Sequence, residues 1–144
     1  MLNFTYMNFD HTPPPTVLTD LKKTYEINAT PAEVFESLVN PDVIQIWSED
    51  EATMNDCVGK EFALWSGQIF GVNLEVVKNK KLVQQWTYDN WKEPSKVTIT
   101  LKGNGSTTTV KLIHEDLPEK FSKSISDGWD AFYFGAIQDM FEAA

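Results

Sequence analysis

The last part of the sequence, residues 121–142, constrains the fold more than any other feature, because its apolar residues recur with a helical period. As an α-helix rising about 1.5 Å per residue, it is about 33 Å long. A strand of seven residues spans about 23 Å. We therefore predict one long helix that crosses a β-sheet and covers its whole width.

A helical projection at about 100° per residue divides this segment into faces. One broad arc is apolar and is predicted to face the strands: Phe121, Ile125, Trp129, Phe132, Tyr133, Ala136 and Met140. A stripe of small residues lies beside it: Ser124, Gly128, Ala131 and Gly135. Each mid-helix glycine destabilises the helix by about 1 kcal/mol relative to alanine. The two glycines of the stripe therefore call for a structural explanation. Either the sheet backbone approaches closely, which we favour, or the stripe leaves room for a ligand.

The opposite side of the projected helix carries three more apolar residues, Phe134 and Phe141 with Ile137 beside them. They are expected either to pack on the first helices of the domain or to form an exposed patch for a partner.

The first half of the sequence predicts a strand followed by two short helices. Residues 23–28 alternate, with Tyr25 and Ile27 on one face. Thr30-Pro31-Ala32-Glu33 then combines a capping box with proline at the first helical position. The sequence Asn40-Pro41 ends this helix, since the residue before proline avoids helical geometry. A second helix is predicted over residues 42–47, with Val43, Ile44 and Trp47 turned inward.

The middle of the sequence predicts five strands, at residues 61–65, 68–77, 82–88, 96–102 and 107–115. The turns between them are short, so the neighbours are antiparallel. Alternation gives each strand an apolar face, with these members: Phe70, Val72, Leu74 and Val76; Leu82, Trp86 and Tyr88; Val97, Ile99 and Leu101; Val110, Leu112 and His114. The predicted fold is α+β, a helix-grip architecture with a curved antiparallel sheet of about six strands around the long C-terminal helix.

Charge and composition exclude several function classes. The net charge is −9, and all 12 basic residues are lysines. Arginine, the usual reader of phosphates and guanines, is absent from the sequence. We therefore expect neither nucleic-acid nor membrane binding. Residues 1–15 lack the basic start and apolar core of a signal peptide, which favours a cytoplasmic location.

The chain is predicted to hold one domain, residues 21–144, after an N-terminal segment of residues 1–20. That segment contains Phe4, Tyr6 and Phe9 and then His11-Thr12-Pro13-Pro14-Pro15. It is expected to be a loosely held tail or, alternatively, an arm that packs on the domain or on a second subunit. The protein is expected to be a monomer or a homodimer.

Few residues of the sequence offer chemistry. His114 shares an inward strand face with Val110 and Leu112, and is expected to be a hydrogen-bonded wall residue rather than an acid or base. Cys57 has no basic neighbour in sequence to lower its pKa. Cys57, His11 and His114 lack metal-ligand spacing. We therefore predict no catalytic residues, no metal and no cofactor.

Several of these motifs resemble a known family. The resemblance lies in these residues: Trp86-Thr-Tyr-Asp-Asn-Trp91, Val97-Thr-Ile-Thr-Leu101, Leu117-Pro118, and Asp127-Gly128-Trp129 followed by Tyr133-Phe134, Ile137 and Phe141. Together they are similar to the family named for activators of the ninety-kilodalton heat-shock protein ATPase. The segment from Tyr25 to Phe35 resembles the wider START-like, pollen-allergen-type superfamily. The resemblance covers about residues 21–142 and implies a helix-grip fold, with a hydrophobic cavity between sheet and helix in many relatives.

Three functions follow as hypotheses. The first is a non-enzymatic module that binds a small apolar ligand in that cavity, with these lining candidates: Trp47, Phe70, Trp86, Tyr88, His114, Trp129, Phe132 and Tyr133. The second, implied by the resemblance, is a co-chaperone-like protein that stimulates the ATPase of a heat-shock chaperone. The third is a cyclase-like or hydrolase-like enzyme that uses His114 in the cavity.

Overall fold

A computed structural model describes residues 17–88, 91 and 93–143. The predicted arm with Phe4, Tyr6 and Phe9, and also His11, lies outside the described residues. The elements in chain order are β1 (Leu18–Ile27), α1 (Pro31–Val39), α2 (Pro41–Ser48), β2 (Glu61–Leu64), β3 (Ile69–Val77), β4 (Lys81–Tyr88), β5 (Ser95–Asn104), β6 (Thr107–Pro118), a 3-10 turn (Glu119–Phe121), α3 (Ser122–Gly128), a π-helical segment (Trp129–Tyr133) and α4 (Phe134–Ala143).

The six strands form one antiparallel sheet in the order β1-β6-β5-β4-β3-β2. Successive strands from β2 to β6 are neighbours, and β1 closes the far edge by pairing with β6. The last helix, residues 119–143, lies on the inner face of the sheet and buries Ile125, Trp129 and Tyr133. The predicted α+β helix-grip fold is therefore confirmed.

The two short helices begin as their sequence predicts. The hydroxyl of Thr30 accepts a hydrogen bond from the Glu33 amide, and the Glu33 carboxylate accepts one from the Thr30 amide. Asn40 ends α1 and caps α2, its side chain accepting from the Asp42 amide at 2.9 Å. These caps satisfy backbone donors that the first turn of a helix leaves open. The chain therefore reverses between α1 and α2 with few unpaired polar groups.

The prediction for the face of β3 is wrong. Phe70 and Leu74 are 41% and 44% exposed, on the outer side of the sheet, while Ile69 and Asn73 are buried. The register shifts between Asn73 and Glu75, which is a β-bulge. A bulge adds one residue and changes which side chains face inward, so Val76 packs on the core although Phe70 does not. Strict alternation cannot follow such a change.

The prediction for the last helix is wrong at Phe132, whereas Tyr133 is buried and Ala136 and Met140 pack against the core. Phe132 is 68% exposed, whereas Phe134 and Ile137 are fully buried. The cause is the π-helical segment, in which each turn takes more residues than an α-helical turn. The extra residue rotates all later side chains by about 100° relative to a regular helix. Phe134 thereby enters the core, where its ring stacks on Tyr25 with centroids 4.8 Å apart.

The two mid-helix glycines have different structural reasons, and neither is a close approach of the sheet. A Cβ atom at Gly135 would overlap the backbone carbonyl oxygen of Asp130, five residues earlier in the same helix. Gly135 thus permits the tight backbone contact of the π-helical segment. A Cβ atom at Gly128 would meet nothing within 4 Å, because Gly128 borders a cavity.

Candidate functional site

A cavity of about 270 Å³ lies between the last helix and the ends of β3 and β4. The helix contributes its apolar side, and the sheet contributes the turn after β2 and the inner faces of the two strands. Most of the lining is aromatic or aliphatic, and no lining side chain is charged. The lining residues are Trp65, Gln68, Ile69, Trp86, Tyr88, Ile125, Gly128, Trp129, Phe132 and Tyr133.

Stacked rings form the floor of the cavity. Trp86 from β4 and Trp129 from the helix lie nearly parallel, with centroids 4.7 Å apart and an angle of 22° between planes. Tyr133 packs on Trp129 at 4.6 Å and on Trp47 of α2 at 4.7 Å. Offset aromatic pairs of this kind contribute about 0.5–1.5 kcal/mol beyond their buried area. The helix is therefore fixed to both β4 and α2 at the cavity.

The indole nitrogens of Trp86 and Trp129 in the floor, and of Trp47 behind it, all donate hydrogen bonds inside the protein. Trp86 Nε1 donates to Gln84 Oε1 at 2.8 Å, and Trp129 Nε1 donates to His114 Nδ1 at 3.1 Å. Trp47 Nε1 donates to the carbonyl of Ser37 at 2.8 Å. A ligand in the cavity would thus meet the faces of these rings and not their N–H groups.

His114 lies behind the floor as a fully buried link between helix and sheet. Because Nδ1 accepts the indole N–H of Trp129, the ring proton must be on Nε2, which donates to Ser95 Oγ at 2.8 Å. Ser95 Oγ in turn donates to the Trp86 carbonyl at 3.1 Å. Burial lowers the pKa of His114 to about 3. The ring is therefore neutral, and both nitrogens are occupied.

Two phenols border the cavity. Burial raises the pKa of Tyr88 to about 12, and it also raises the pKa of Tyr133. Tyr133 is only 2% exposed, and its hydroxyl has no hydrogen-bond partner among the described residues. Every described side-chain nitrogen or oxygen atom that is sealed from solvent does have a partner. Tyr133 is one of the residues that line the cavity.

A polar clamp holds the π-helical segment from the side of β1. Lys23 Nζ lies 2.8 Å from both carboxylate oxygens of Asp130, and the Tyr25 hydroxyl donates to Asp130 Oδ1 at 2.7 Å. The hydrogen bond from Lys23, followed by that from Tyr25, lowers the pKa of Asp130. The clamp thus fixes the first turn of the segment that rotates Phe134 into the core.

The structure brings five of the predicted lining residues to the cavity: Trp86, Tyr88, Trp129, Phe132 and Tyr133. Phe132 borders it as an exposed residue at its mouth. Trp47 and His114 lie behind the floor, and the prediction that Phe70 faces inward is wrong. Whether any of these residues binds a ligand stays a prediction.

Sequence reasoning missed half of the lining: Trp65, Gln68, Ile69, Ile125 and Gly128. Ile125 belongs to the predicted apolar arc. Gly128 belongs to the small stripe, for which close approach of the sheet is the favoured explanation, and at Gly128 this explanation is wrong. Trp65 has a left-handed backbone conformation with φ of 49°, which a bulky residue rarely adopts. In the sequence, only the neighbouring Ser66-Gly67 points to this site. It predicts that the chain turns there, but it does not predict the direction of the Trp65 ring.

The described residues hold no group of three or more histidine, cysteine, aspartate or glutamate side chains that could bind a metal ion. Cys57, the single cysteine of the sequence, is exposed. In the same part of the chain, no helix has the length and apolarity needed to cross a membrane.

A curved sheet gripping a long C-terminal helix, with an aromatic cavity between them, defines a helix-grip domain. Residues 28–142 match the family model described as "Activator of Hsp90 ATPase homolog 1-like protein". The chain belongs to this family, as the motifs in its sequence predicted. The family is named for activating the ATPase of another protein.

Two curated relatives show the extent of the similarity. An activator of 90 kDa heat shock protein ATPase homolog from Dictyostelium discoideum is 31% identical over 139 residues, covering 92% of this chain and 36% of the relative. The human activator homolog 1 is 26% identical over 129 residues, covering 88% of this chain and 38% of the relative. The chain thus spans little more than a third of the length of these relatives.

Solved structures confirm the fold. The crystal structure of an HSP90 activator from Plasmodium falciparum superposes with a TM-score of 0.78 and 25% identity, covering 84% of this chain and 94% of that one. The Aha1 dimer from Colwellia psychrerythraea gives a TM-score of 0.75 at 17% identity, covering 86% and 96% of the two chains. At this lower identity the likeness supports the fold alone.

Proposed function

We propose that this domain binds a ninety-kilodalton heat-shock chaperone and stimulates its ATPase. Membership of the activator family is the observation that carries the proposal. The solved Plasmodium falciparum chain described as an HSP90 activator consists almost wholly of this domain, since the match covers 94% of it. The proposal therefore does not depend on the additional length of the curated relatives.

The outer face of the sheet is the proposed contact surface, because the described helices pack elsewhere. It carries an apolar strip on β3 that includes Phe70, Leu74 and Val77, each more than 40% exposed. Beside this strip, Lys81, Thr100 and Lys111 are paired in register across β4, β5 and β6. Exposed lysines continue the row on β5 and in the turn after β3: Lys78, Lys80 and Lys102.

This concentration of lysines is unusual in a chain whose net charge is −9. Among the described residues, Lys81 forms an ion pair with Glu75 at 3.4 Å, and the other lysines of the surface form none. Apolar side chains beside unpaired cations favour a partner surface with carboxylates around an apolar centre. We propose that the chaperone offers such a surface.

The test is a chaperone ATPase assay with the purified full chain and a Lys81→Gln/Lys102→Gln/Lys111→Gln variant. An exposed ion pair contributes about 0.2–1 kcal/mol. Removing the three charges is therefore expected to raise the concentration for half-maximal stimulation about tenfold. A Lys120→Gln/Lys123→Gln variant, at the start of the last helix, is the control and should match the unmodified protein.

Two results would count against this proposal in different ways. An unchanged chaperone rate at saturating concentrations of the unmodified protein would overturn the function itself. Stimulation that is equal for the unmodified protein and the triple lysine variant would overturn only the assignment of the outer face.

As a second candidate function, we propose binding of a small apolar ligand in the cavity. The observation that favours it is a space of about 270 Å³ with aromatic walls and no charged lining residue, close to the lower end of ligand sites at about 300 Å³. Native mass spectrometry of the purified protein is expected to show a retained small molecule, and it also counts subunits. A bare mass, together with no change in tryptophan fluorescence on adding apolar compounds, would contradict it.

The enzymatic alternative has less support. His114 is not at the cavity wall, and both of its nitrogens are held by Ser95 and Trp129. A general base needs a free nitrogen within reach of its substrate. We therefore propose a binding role for the domain and no reaction of its own.

A further inference from the structure

We infer that the cavity selects a flat, uncharged, two-ring ligand that carries a hydrogen-bond acceptor such as a ketone, and that the hydroxyl of Tyr133 binds this acceptor. The inference rests on the proposed ligand-binding function and adds the chemical class of the ligand. It follows from the size of the cavity, the geometry of its walls and the polar groups that remain free.

The size of the cavity limits the ligand. An apolar cavity of about 150 Å³ in another protein holds benzene. The space of about 270 Å³ found here is nearly twice as large. It accommodates two fused rings with a short substituent.

The walls favour a flat molecule. Trp86 and Trp129 stack on each other with their planes 22° apart, so each ring covers one face of the other. The aromatic surface left for a ligand is their remaining surface together with Trp65, Phe132 and Tyr133. Flat ligands gain most contact on such surfaces, because stacked and edge-to-face arrangements are both available. Gly128 lines the space without a side chain, so a ring can lie directly on the helix backbone at this point.

The free polar groups determine the acceptor. The indole N–H groups of Trp86 and Trp129 are already donated to Gln84 and His114. No lining residue is charged, so an ionised ligand would lose its hydration without a counter-charge. Trp65 and Gln68 also line the cavity and have no side-chain hydrogen bond among the described residues, but Trp65 is half-buried and Gln68 is exposed. Tyr133 is the more deeply buried donor, and its raised pKa keeps its hydroxyl protonated. An acceptor on the ligand would satisfy this donor, which otherwise costs free energy.

Tyr88 offers a matched comparison. It is also a phenol at the cavity, but it is only partly buried, and its ring stacks on Trp91 with centroids 4.5 Å apart. Its hydroxyl can exchange hydrogen bonds with water at the mouth. A ligand acceptor should therefore depend on Tyr133 and much less on Tyr88.

The experiment compares two probes of the same shape, β-naphthyl methyl ketone and the alkene in which CH₂ replaces the carbonyl oxygen. Binding to the full chain is measured by tryptophan fluorescence, since three tryptophans line the cavity: Trp65, Trp86 and Trp129. The unmodified protein is expected to bind the ketone about three- to tenfold more tightly than the alkene. Tyr133→Phe should remove this preference without weakening the alkene, and Tyr88→Phe should retain it.

The possible results distinguish the role of Tyr133 from the class of ligand. A ketone preference that survives in Tyr133→Phe would overturn the role of Tyr133, and equal affinities in the unmodified protein would overturn the ligand class. Failure of both probes to bind would overturn the ligand class, and native mass spectrometry would then decide the ligand-binding function independently. If Tyr133→Phe does not fold, the infrared carbonyl band of the bound ketone decides: a shift to lower frequency than in hexane supports the hydrogen bond, and an unshifted band contradicts it.

Discussion

The free energy of unfolding is expected to fall by up to about 1.4 kcal/mol per pH unit as the pH decreases below about 6.5, because of His114. Burial lowers the pKa of this residue from 6.5 to about 3 in the folded protein. Between these values the unfolded chain binds a proton at this position and the folded chain does not. Stability is thus greatest above about pH 6.5 and is lost toward pH 3.

The geometry around His114 explains why it resists protonation. A proton on Nδ1 would face the N–H of Trp129, which now donates to that nitrogen. The other aromatic neighbours, Trp86 and Trp91, carry no charge to stabilise an imidazolium. Protonation in the folded state would therefore break the link between the last helix and β6.

Urea unfolding measured between about pH 7 and pH 5 tests this prediction, above the range in which most carboxylates titrate. His114→Gln supplies an acceptor and a donor without a titrating group, so its unfolding free energy should be nearly flat across this range. His11→Gln removes the only other histidine and is expected to keep the slope of the unmodified protein. A slope that disappears in His11→Gln and persists in His114→Gln would refute the assignment.

Gly135→Ala is expected to destabilise the domain by about 1–3 kcal/mol, although alanine favours helices more than glycine does. The added methyl group would overlap the Asp130 carbonyl oxygen, so the π-helical segment would have to be rebuilt. A change to regular α-helix would rotate Phe134 and Ile137 out of the core, and both are fully buried now. The loss of stability thus combines the steric overlap at position 135 with the lost packing of Phe134 and Ile137.

Gly128→Ala is the matched control within the same helix. A Cβ atom there meets open space, so the variant should gain up to about 1 kcal/mol from helix propensity. Thermal and urea unfolding of both variants give the comparison. Equal effects of the two substitutions would contradict the structural distinction between these glycines.

Much of the fold could be predicted from the sequence, because local chemistry and tertiary packing agree in most of it. The capping box of Thr30 and Glu33, with Pro31 between them, is an example in which three residues determine where a helix begins. The strands β4, β5 and β6 alternate regularly, so Trp86, Ile99 and Leu112 were assigned to the buried face correctly. The family was predicted from motifs on the same strands and on the last helix.

The wrong predictions lie near positions where one extra residue interrupts the regular repeat of a strand or a helix. The β-bulge after Asn73 and the π-helical segment at Trp129 each shift the phase of later side chains. The outward position of Phe132 has this cause. Phe70 precedes the bulge and faces outward because Ile69, Gly71 and Asn73 take the buried positions of β3. These irregularities depend on distant contacts, such as the clamp from Lys23 to Asp130, which no local pattern contains.

The cavity was even less predictable than the fold, because it is defined by side chains that do not fill a space. Trp65 reaches the wall through a left-handed backbone conformation, and Gly128 contributes by lacking a side chain. The aromatic composition of the region indicated a core, a ligand site or both. Only coordinates distinguish a filled interior from one with a space of about 270 Å³.

The position of the last helix has a consequence for synthesis of the protein. Residues 119–143 are the last described part of this chain to leave the ribosome, yet their Trp129 stacks on Trp86 of β4 and donates a hydrogen bond to His114 of β6. Until these residues emerge, Trp86 and His114 lack packing partners that help to bury them in the finished fold. The nascent chain therefore passes through a stage in which exposed apolar surface makes it prone to aggregation. Its folding is completed only after nearly the whole domain has been translated.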